Sequence, residues 1–201
     1  MIPKGKHDMK TDIILCGVGG QGIISISAVL GVAALEENMH IKQSEIHGMS
    51  QRGGAVQSHV RISSRPIASD LIPLSSASLI LSVEPMEALR YLPWLSPDGW
   101  IVSNSQPFIN IPDYPSLDSL MHEYSNYKNT VLINADEIAS LCGSARASNM
   151  VMLGAASRFI HLKPESLVLG IKTLFAQKGP SVIDLNLKAF EAGMQASAER
   201  Q

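Results

Sequence analysis

The sequence predicts a three-layer α/β/α sandwich in which helices cover both faces of a mixed sheet. Two observations predict it. Short apolar segments alternate with helical ones across residues 11–146, as in βαβ units, and from residue 147 onward the pattern is helical. A glycine-rich turn after the first strand makes the sheet Rossmann-like. We therefore expect a single domain over residues 1–201, with a sheet region at 11–146 and a helical C-terminal part at 147–201.

The first third of the chain supplies three strands and one helix. Residues 13–16 form a short apolar strand that enters the glycine turn, and a nearly all-apolar helix follows at 23–39. A second extended segment is expected at 40–46. Residues 55–63 alternate, with His59 on the polar face. Because alternation marks a half-covered strand, we expect this segment to be antiparallel or near an edge, which makes the sheet mixed.

The middle of the chain continues the alternation. The run at 77–83 is apolar throughout, as in a strand covered on both faces, and it passes into a helix with Pro85 in the first turn. Two more strands are expected at 99–105 and 129–135. Residues 105–118 hold three prolines and predict a surface loop.

Helical periodicity dominates the C-terminal part. Ser148 or Asn149 is expected to cap the first helix, and Pro164 is expected to open the second. The three predicted helices span residues 147–160, 164–175 and 181–199.

Composition excludes several classes of function. A formal net charge of -2 argues against nucleic-acid binding, and no apolar run approaches the ~20 residues of a membrane span. The chain has two cysteines, Cys16 and Cys142, so we expect a cytoplasmic protein that holds no cysteine-ligated cluster by itself. We expect both cysteines to be small apolar residues at buried positions. The three histidines of the strand region match no metal-ligand spacing, and no metal is expected in this chain.

The first motif is "GVGGQG", which has the spacing G-x-G-x-x-G. Glycines allow a tight turn and close approach of a ligand, and they place the N–H groups of the next helix near an anion. A dinucleotide site also needs an acidic residue about 20 residues further on, and the acids here lie nearer or farther away. An anion-binding turn, a dinucleotide turn and a turn without a ligand all remain open. The candidate binding residues are Gly17, Gly19, Gly20, Gln21 and Gly22.

The second motif lies in "SEIHGMSQRGGAVQSHVR" at 44–61. Its arginine can hold a carboxylate or phosphate with two hydrogen bonds, its histidine can exchange a proton, and its paired glycines allow close backbone approach. The alternative is a solvated loop whose charges pair with their neighbours. The candidate catalytic residues are Glu45, His47, Ser50, Gln51 and Arg52, and Gly53 and Gly54 are candidate ligand-facing glycines.

Together the two motifs resemble the gamma-type domain of the 2-oxoacid:ferredoxin oxidoreductases. The sequence His-Gly-Met-Ser-Gln-Arg-Gly-Gly is similar to that of the indolepyruvate:ferredoxin oxidoreductase beta subunits, and "NMVMLGA" at 149–155 is also similar to that family. The resemblance covers essentially the whole chain. It implies oxidative decarboxylation of indole-3-pyruvate or a related aryl 2-oxoacid to an acyl-CoA and carbon dioxide, with electrons passing to ferredoxin.

The resemblance also implies a division of labour between subunits. Thiamine diphosphate, magnesium and iron–sulfur clusters would belong to a larger alpha subunit, and this chain would be inactive without it. The motif residues would contact substrate or CoA at a shared site. Two alternatives remain: a subunit for another 2-oxoacid such as pyruvate, and a stand-alone nucleotide-binding protein with a Rossmann-like fold. A third reading makes the second motif an interface in a non-catalytic scaffold.

Overall fold

The structure, a computed structural model, describes residues 9–47 and 53–199. Within these residues, six strands and four α-helices occupy the chain as far as residue 142, with the second, third and fourth strands following one another without a helix between them, and three α-helices close the chain. The strands are β1 Lys10–Val18, β2 His40–His47, β3 Ala55–Ser63, β4 Ala77–Ser82, β5 Leu95–Asn104 and β6 Thr130–Ile133. The helices are α1 Ile23–Glu36, α2 Pro85–Arg90, α3 Leu117–Tyr124, α4 Ala135–Cys142, α5 Ser148–Ala156, α6 Pro164–Phe175 and α7 Pro180–Ala198.

One mixed sheet runs through the centre in the order β2-β3-β1-β4-β5-β6. Strands β1, β4, β5 and β6 are parallel neighbours, whereas β3 is antiparallel to both β1 and β2. The expectation that the segment at 55–63 is antiparallel or near an edge, in a mixed sheet, is confirmed, since β3 is antiparallel and lies second from the edge. Because β3 runs in the opposite direction, its first residues lie at the edge where β1 and β4 end.

Two apolar cores make the three layers. On one face, Ile13 and Leu15 of β1 pack under α1, α5, α6 and α7. On the other face, Ile14 and Cys16 pack with residues of α2 and α3. Successive residues of β1 therefore bury opposite faces, and this explains why the strand is apolar throughout. The predicted three-layer sandwich is confirmed.

Two glycines allow helices α5 and α7 to pack closely against each other. A Cβ atom at Gly154 would overlap the backbone carbonyl of Phe190, and one at Gly193 would overlap that of Val151. Every residue of α5 from Asn149 onward is buried. This close approach fixes the position of the first turn of α5, which lies at the candidate site.

Two local expectations are wrong. Helix α5 follows directly on a 3-10 turn, so Ala147 occupies its N-cap without a side-chain hydrogen bond, and neither Ser148 nor Asn149 caps it. The predicted loop at 105–118 ends early, because Ser116 caps α3 by accepting a hydrogen bond from the Ser119 N–H at 3.2 Å. Sequence reasoning missed α3 because the prolines before it dominated the pattern.

The cysteines differ from each other. Cys16 is fully buried in β1, and burial raises the pKa of its thiol far above the ordinary value. It is a small core residue, as expected, and not a nucleophile. Cys142 is only partly buried, so the expectation of a buried position is wrong there. None of the helices that the structure describes combines the length and apolar character that a bilayer span requires.

Candidate functional site

The glycine turn between β1 and α1 is closed by its own glutamine. The Val18 N–H donates to Oε1 of Gln21 at 2.7 Å, and the Gln21 N–H donates to the Val18 carbonyl at 3.1 Å. Gly20 and Gly22 have φ angles of 102° and 81°, in a region that side chains rarely adopt. Gln21 thus shapes the turn, and its side-chain oxygen is already occupied by a backbone partner.

Two side chains from other parts of the chain, Val83 and Asn149, pack against the glycine turn. A Cβ at Gly17 would overlap the side chain of Val83, which follows β4. On the other side, Nδ2 of Asn149 donates to the Gly22 carbonyl at 3.2 Å, and a Cβ at Gly22 would lie 2.5 Å from the same nitrogen. Asn149 is only 7% exposed. The first turn of α5 therefore holds the first turn of α1.

The structure brings the two glycine-containing motifs together. Val18 pairs with Ala55 in the β1–β3 register. Beyond that pair, the Gly19 N–H donates to the Gly54 carbonyl at 2.8 Å, and the Gly53 N–H approaches the Gly19 carbonyl at 3.5 Å. Sequences separated by more than thirty residues thus share one edge of the sheet, as their proposed common role requires.

The remaining predicted residues divide into two groups. Glu45 lies near the end of β2, half-buried and opposite Ser58, and His47 is the last residue of that strand, opposite Val56. Both therefore lie in the part of β2 that runs toward the edge shared with Gly19 and Gly54. The predicted residues Ser50, Gln51 and Arg52 lie outside the described residues, so their roles stay predictions.

A loop crosses the same edge and is fastened at two points. It leaves β5, and the Phe108 N–H donates to Oε1 of Glu84 at 3.3 Å; the hydroxyl of Tyr114 donates to the same oxygen. Farther across, Nδ2 of Asn110 donates to the Gly53 carbonyl at 2.7 Å. The loop therefore reaches from β5 past the ends of β4 and β1 to the start of β3.

Glu84 is the fixed point of this arrangement. It is fully buried, and its other oxygen caps α2 by accepting the Glu87 N–H at 2.8 Å. Burial and the hydrogen bond to Glu84 raise the pKa of Tyr114, so its hydroxyl stays protonated and keeps donating. Sequence reasoning missed Glu84, although its place directly after an apolar strand was a usable signal.

A cleft of about 820 Å³ opens beside the glycine turn. It combines the first turn of α1, a guanidinium group and an aromatic ring, so it suits a ligand with an anionic group and an apolar part. Within the described residues, no three His, Cys, Asp or Glu side chains converge as metal ligands. The cleft is lined by Gly20, Gln21, Phe108, Asp136, Arg146 and Asn149, among others.

Comparisons with known proteins agree on one family. A sequence model described as pyruvate ferredoxin/flavodoxin oxidoreductase matches residues 12–196. The chain is 39% identical over 200 residues to indolepyruvate oxidoreductase subunit IorB of Methanothermobacter thermautotrophicus, covering 95% of this chain and 100% of that one. It is 34% identical to the protein of the same name from Archaeoglobus fulgidus, over 92% of this chain and 94% of that one.

A solved structure shares the fold over nearly the whole chain. It is 2-oxoglutarate:ferredoxin oxidoreductase from Magnetococcus marinus, with 2-oxoglutarate, coenzyme A and succinyl-CoA bound. The TM-score is 0.76 at 21% sequence identity, over 96% of this chain and 32% of that chain. The fold described here is therefore about one third of that longer polypeptide.

Proposed function

This chain belongs to the pyruvate ferredoxin/flavodoxin oxidoreductase family, and we propose that its complex oxidises indole-3-pyruvate or a related aryl 2-oxoacid. It is a subunit of a 2-oxoacid:ferredoxin oxidoreductase. The observation that carries the choice of substrate is the 39% identity, over almost the full length of both chains, to a subunit named for indolepyruvate. In the proposed reaction the bond to the carboxylate carbon breaks and releases CO2. A thioester bond to CoA forms, a proton is released and two electrons pass to ferredoxin.

The cofactors of this reaction are assigned to the partner subunit. Four thiolates hold a typical iron–sulfur cluster, and this sequence has two cysteines, of which Cys16 is buried within β1. Thiamine diphosphate would stabilise the carbanion left after CO2 departs. This chain would bind and orient the reactants: the glycine turn and the Gly53–Gly54 segment would form one wall, with the cleft beside it.

Arg52 would hold the anionic group at that wall. The neighbouring Gly53 lies at the carboxyl edge of the sheet, where it is hydrogen-bonded to Gly19 and Asn110, and its position supports this role. A guanidinium binds a carboxylate or a phosphate through two parallel hydrogen bonds. The substrate carboxylate and the CoA phosphates are the anions that the reaction supplies.

Reconstitution of the complex tests this function. The chain is mixed with its purified partner subunit, and ferredoxin reduction is followed with indole-3-pyruvate, phenylpyruvate, pyruvate, 2-oxoglutarate and a branched 2-oxoacid. We expect the aryl substrates to give the highest kcat/KM, with no turnover when either subunit is omitted. A higher kcat/KM for pyruvate than for the aryl substrates would refute the assignment of an aryl 2-oxoacid as the substrate. Binding of NAD or FAD to the chain alone, without turnover of any oxoacid, would favour the nucleotide-binding alternative.

The Arg52→Ala variant tests the proposed anion contact. Loss of hydrogen bonds to a charged group costs about 1.5–3 kcal/mol, so we expect kcat/KM for the oxoacid or for CoA to fall roughly 10- to 100-fold. Lys128→Ala is the matched control, because Lys128 is exposed and precedes β6, at the opposite edge of the sheet. Unchanged kinetic constants for both reactants would remove the role assigned to Arg52.

A further inference from the structure

We propose that an apolar rim at the carboxyl edge of the sheet is the surface on which the partner subunit docks. The proposal rests on the function proposed above and adds the place where the two chains meet. The rim consists of five large apolar side chains, each at least 37% exposed: Ile24, Ile46, Phe108, Ile109 and Ile111. Ile109 is 73% exposed and Ile24 is 60% exposed, values that leave most of each side chain in water.

All five members lie at the same edge. Ile24 is in the first turn of α1, directly after the glycine turn, and Ile46 is the penultimate residue of β2. The other three belong to the loop that crosses from β5 to Gly53. The rim residues thus lie at the same edge of the sheet as the contact between the two glycine motifs, where the candidate site lies. Apolar side chains grouped around a site mark an interaction surface more strongly than scattered ones.

The loop that carries three of the five rim residues is held in place before any partner arrives. Glu84 fixes it at Phe108 and Tyr114, and Asn110 ties it to Gly53. Between β5 and β3 it spans three strand spacings, roughly 14 Å. A loop fastened at both sides of this span keeps its apolar side chains exposed in one arrangement. Docking onto it therefore costs little conformational entropy.

The partner subunit fits this rim better than a second copy of the chain does. A partner seated here would cover the rim, close the mouth of the cleft and bring its own cofactors beside Gly19 and Gly54. A second copy would bring the same two cysteines and the same wall, and the site would stay incomplete. In the Magnetococcus marinus enzyme, the equivalent fold is covalently joined to the rest of a chain about three times as long.

Ile109→Asp tests the docking surface. Because Ile109 is mostly exposed, we expect the variant to keep the thermal unfolding midpoint of wild type while its affinity for the partner falls at least tenfold. Leu35→Asp is the control: Leu35 is 67% exposed but lies at the other end of α1, roughly 18 Å from its first turn. Affinity is measured by sedimentation velocity on dilution of the reconstituted complex.

The outcomes separate the two proposals. Weaker association for Ile109→Asp, with wild-type association for Leu35→Asp, supports docking at the rim. Equal affinities for Ile109→Asp and wild type, or equal losses for both variants, would overturn it. A wild-type complex that assembles and yet oxidises no 2-oxoacid would overturn the proposed function and leave the docking result standing. A wild-type chain that self-associates through the rim, with the Ile109→Asp substitution abolishing the dimer, would replace the partner with a second copy.

Discussion

Three glycine-to-alanine substitutions in one stretch of chain should have three different effects on stability. Gly31 lies inside α1 with open space where a Cβ would go. Gly20 has the same open space but a φ of 102°. Gly22 has a φ of 81° and a Cβ position 2.5 Å from Nδ2 of Asn149. The added methyl group therefore meets no obstacle at Gly31, backbone strain alone at Gly20, and both backbone strain and a buried neighbour at Gly22.

The expected free-energy changes follow from these positions. Alanine at 31 should stabilise the fold by about 0.5–1 kcal/mol through helix propensity. Alanine at 20 should destabilise it by about 1–2 kcal/mol, the cost of a left-handed conformation. Alanine at 22 adds the loss of the Asn149 hydrogen bond, about 1 kcal/mol, for a total of about 2–3 kcal/mol. In a chain of this size each kcal/mol moves the melting temperature by roughly 2–4 °C.

Urea unfolding followed by circular dichroism measures the three changes, and turnover of the reconstituted complex is measured alongside. The double variant Gly22→Ala/Asn149→Ala should destabilise by less than the sum of the single variants, since removing the amide removes the collision. If Gly22→Ala costs no more than Gly20→Ala, the contact between α1 and α5 does not hold the turn. The assignment of Asn149 to the site would then fall.

Two further predictions concern the buried polar groups. Tyr114→Phe removes a hydrogen bond to the buried Glu84 carboxylate and should lower the free energy of unfolding by about 1.5–3 kcal/mol. Tyr127→Phe is the control and should change it little, because the Tyr127 hydroxyl has no partner among the described residues; equal effects would contradict the role of Tyr114 in fastening the loop. Nδ1 of His59 accepts the Ile72 N–H, and burial lowers the pKa of the imidazole from 6.5. The contribution of His59 to the free energy of unfolding is therefore present above about pH 6.5 and is lost as the pH falls. Urea unfolding at pH about 7.5 and about 5 should show this loss in wild type and a smaller one in His59→Asn; the same pH dependence in both would contradict it.

Local signals were sufficient for most of the fold. Continuous apolar runs predicted the central strands, and β1 shows why: its successive residues Ile13 and Ile14 fill the cores on opposite faces of the sheet. The alternation at 55–63 predicted a strand that is antiparallel or near an edge, and β3 is antiparallel, but His59 is buried and does not lie on an open polar face. Where several local signals competed, the prediction failed. Three prolines concealed the start of α3, and a 3-10 turn before Ser148 left no role for a capping side chain.

The site was predictable only in pieces. Chemistry and spacing identified both glycine motifs, but no local pattern shows that Gly19 and Gly54 are hydrogen-bonded across an antiparallel pair. That contact depends on the register between β1 and β3, which is set by the whole sheet. Gln21 was predicted only as a candidate binding residue, whereas its side chain closes the turn by accepting the Val18 N–H. Asn110 gave no signal at all, because its partner is a backbone carbonyl.

The burial of Glu84 gives the strongest physical reason to connect the loop with the site. A fully buried carboxylate is costly unless donors surround it, and here the described donors are the N–H of Glu87, the N–H of Phe108 and the hydroxyl of Tyr114. Only the first belongs to the helix that Glu84 caps. An exposed serine or aspartate could cap α2 without this burial. The two remaining donors come from the loop. Beyond capping α2, Glu84 therefore holds Phe108 beside the cleft and keeps the other apolar side chains of the loop along the rim.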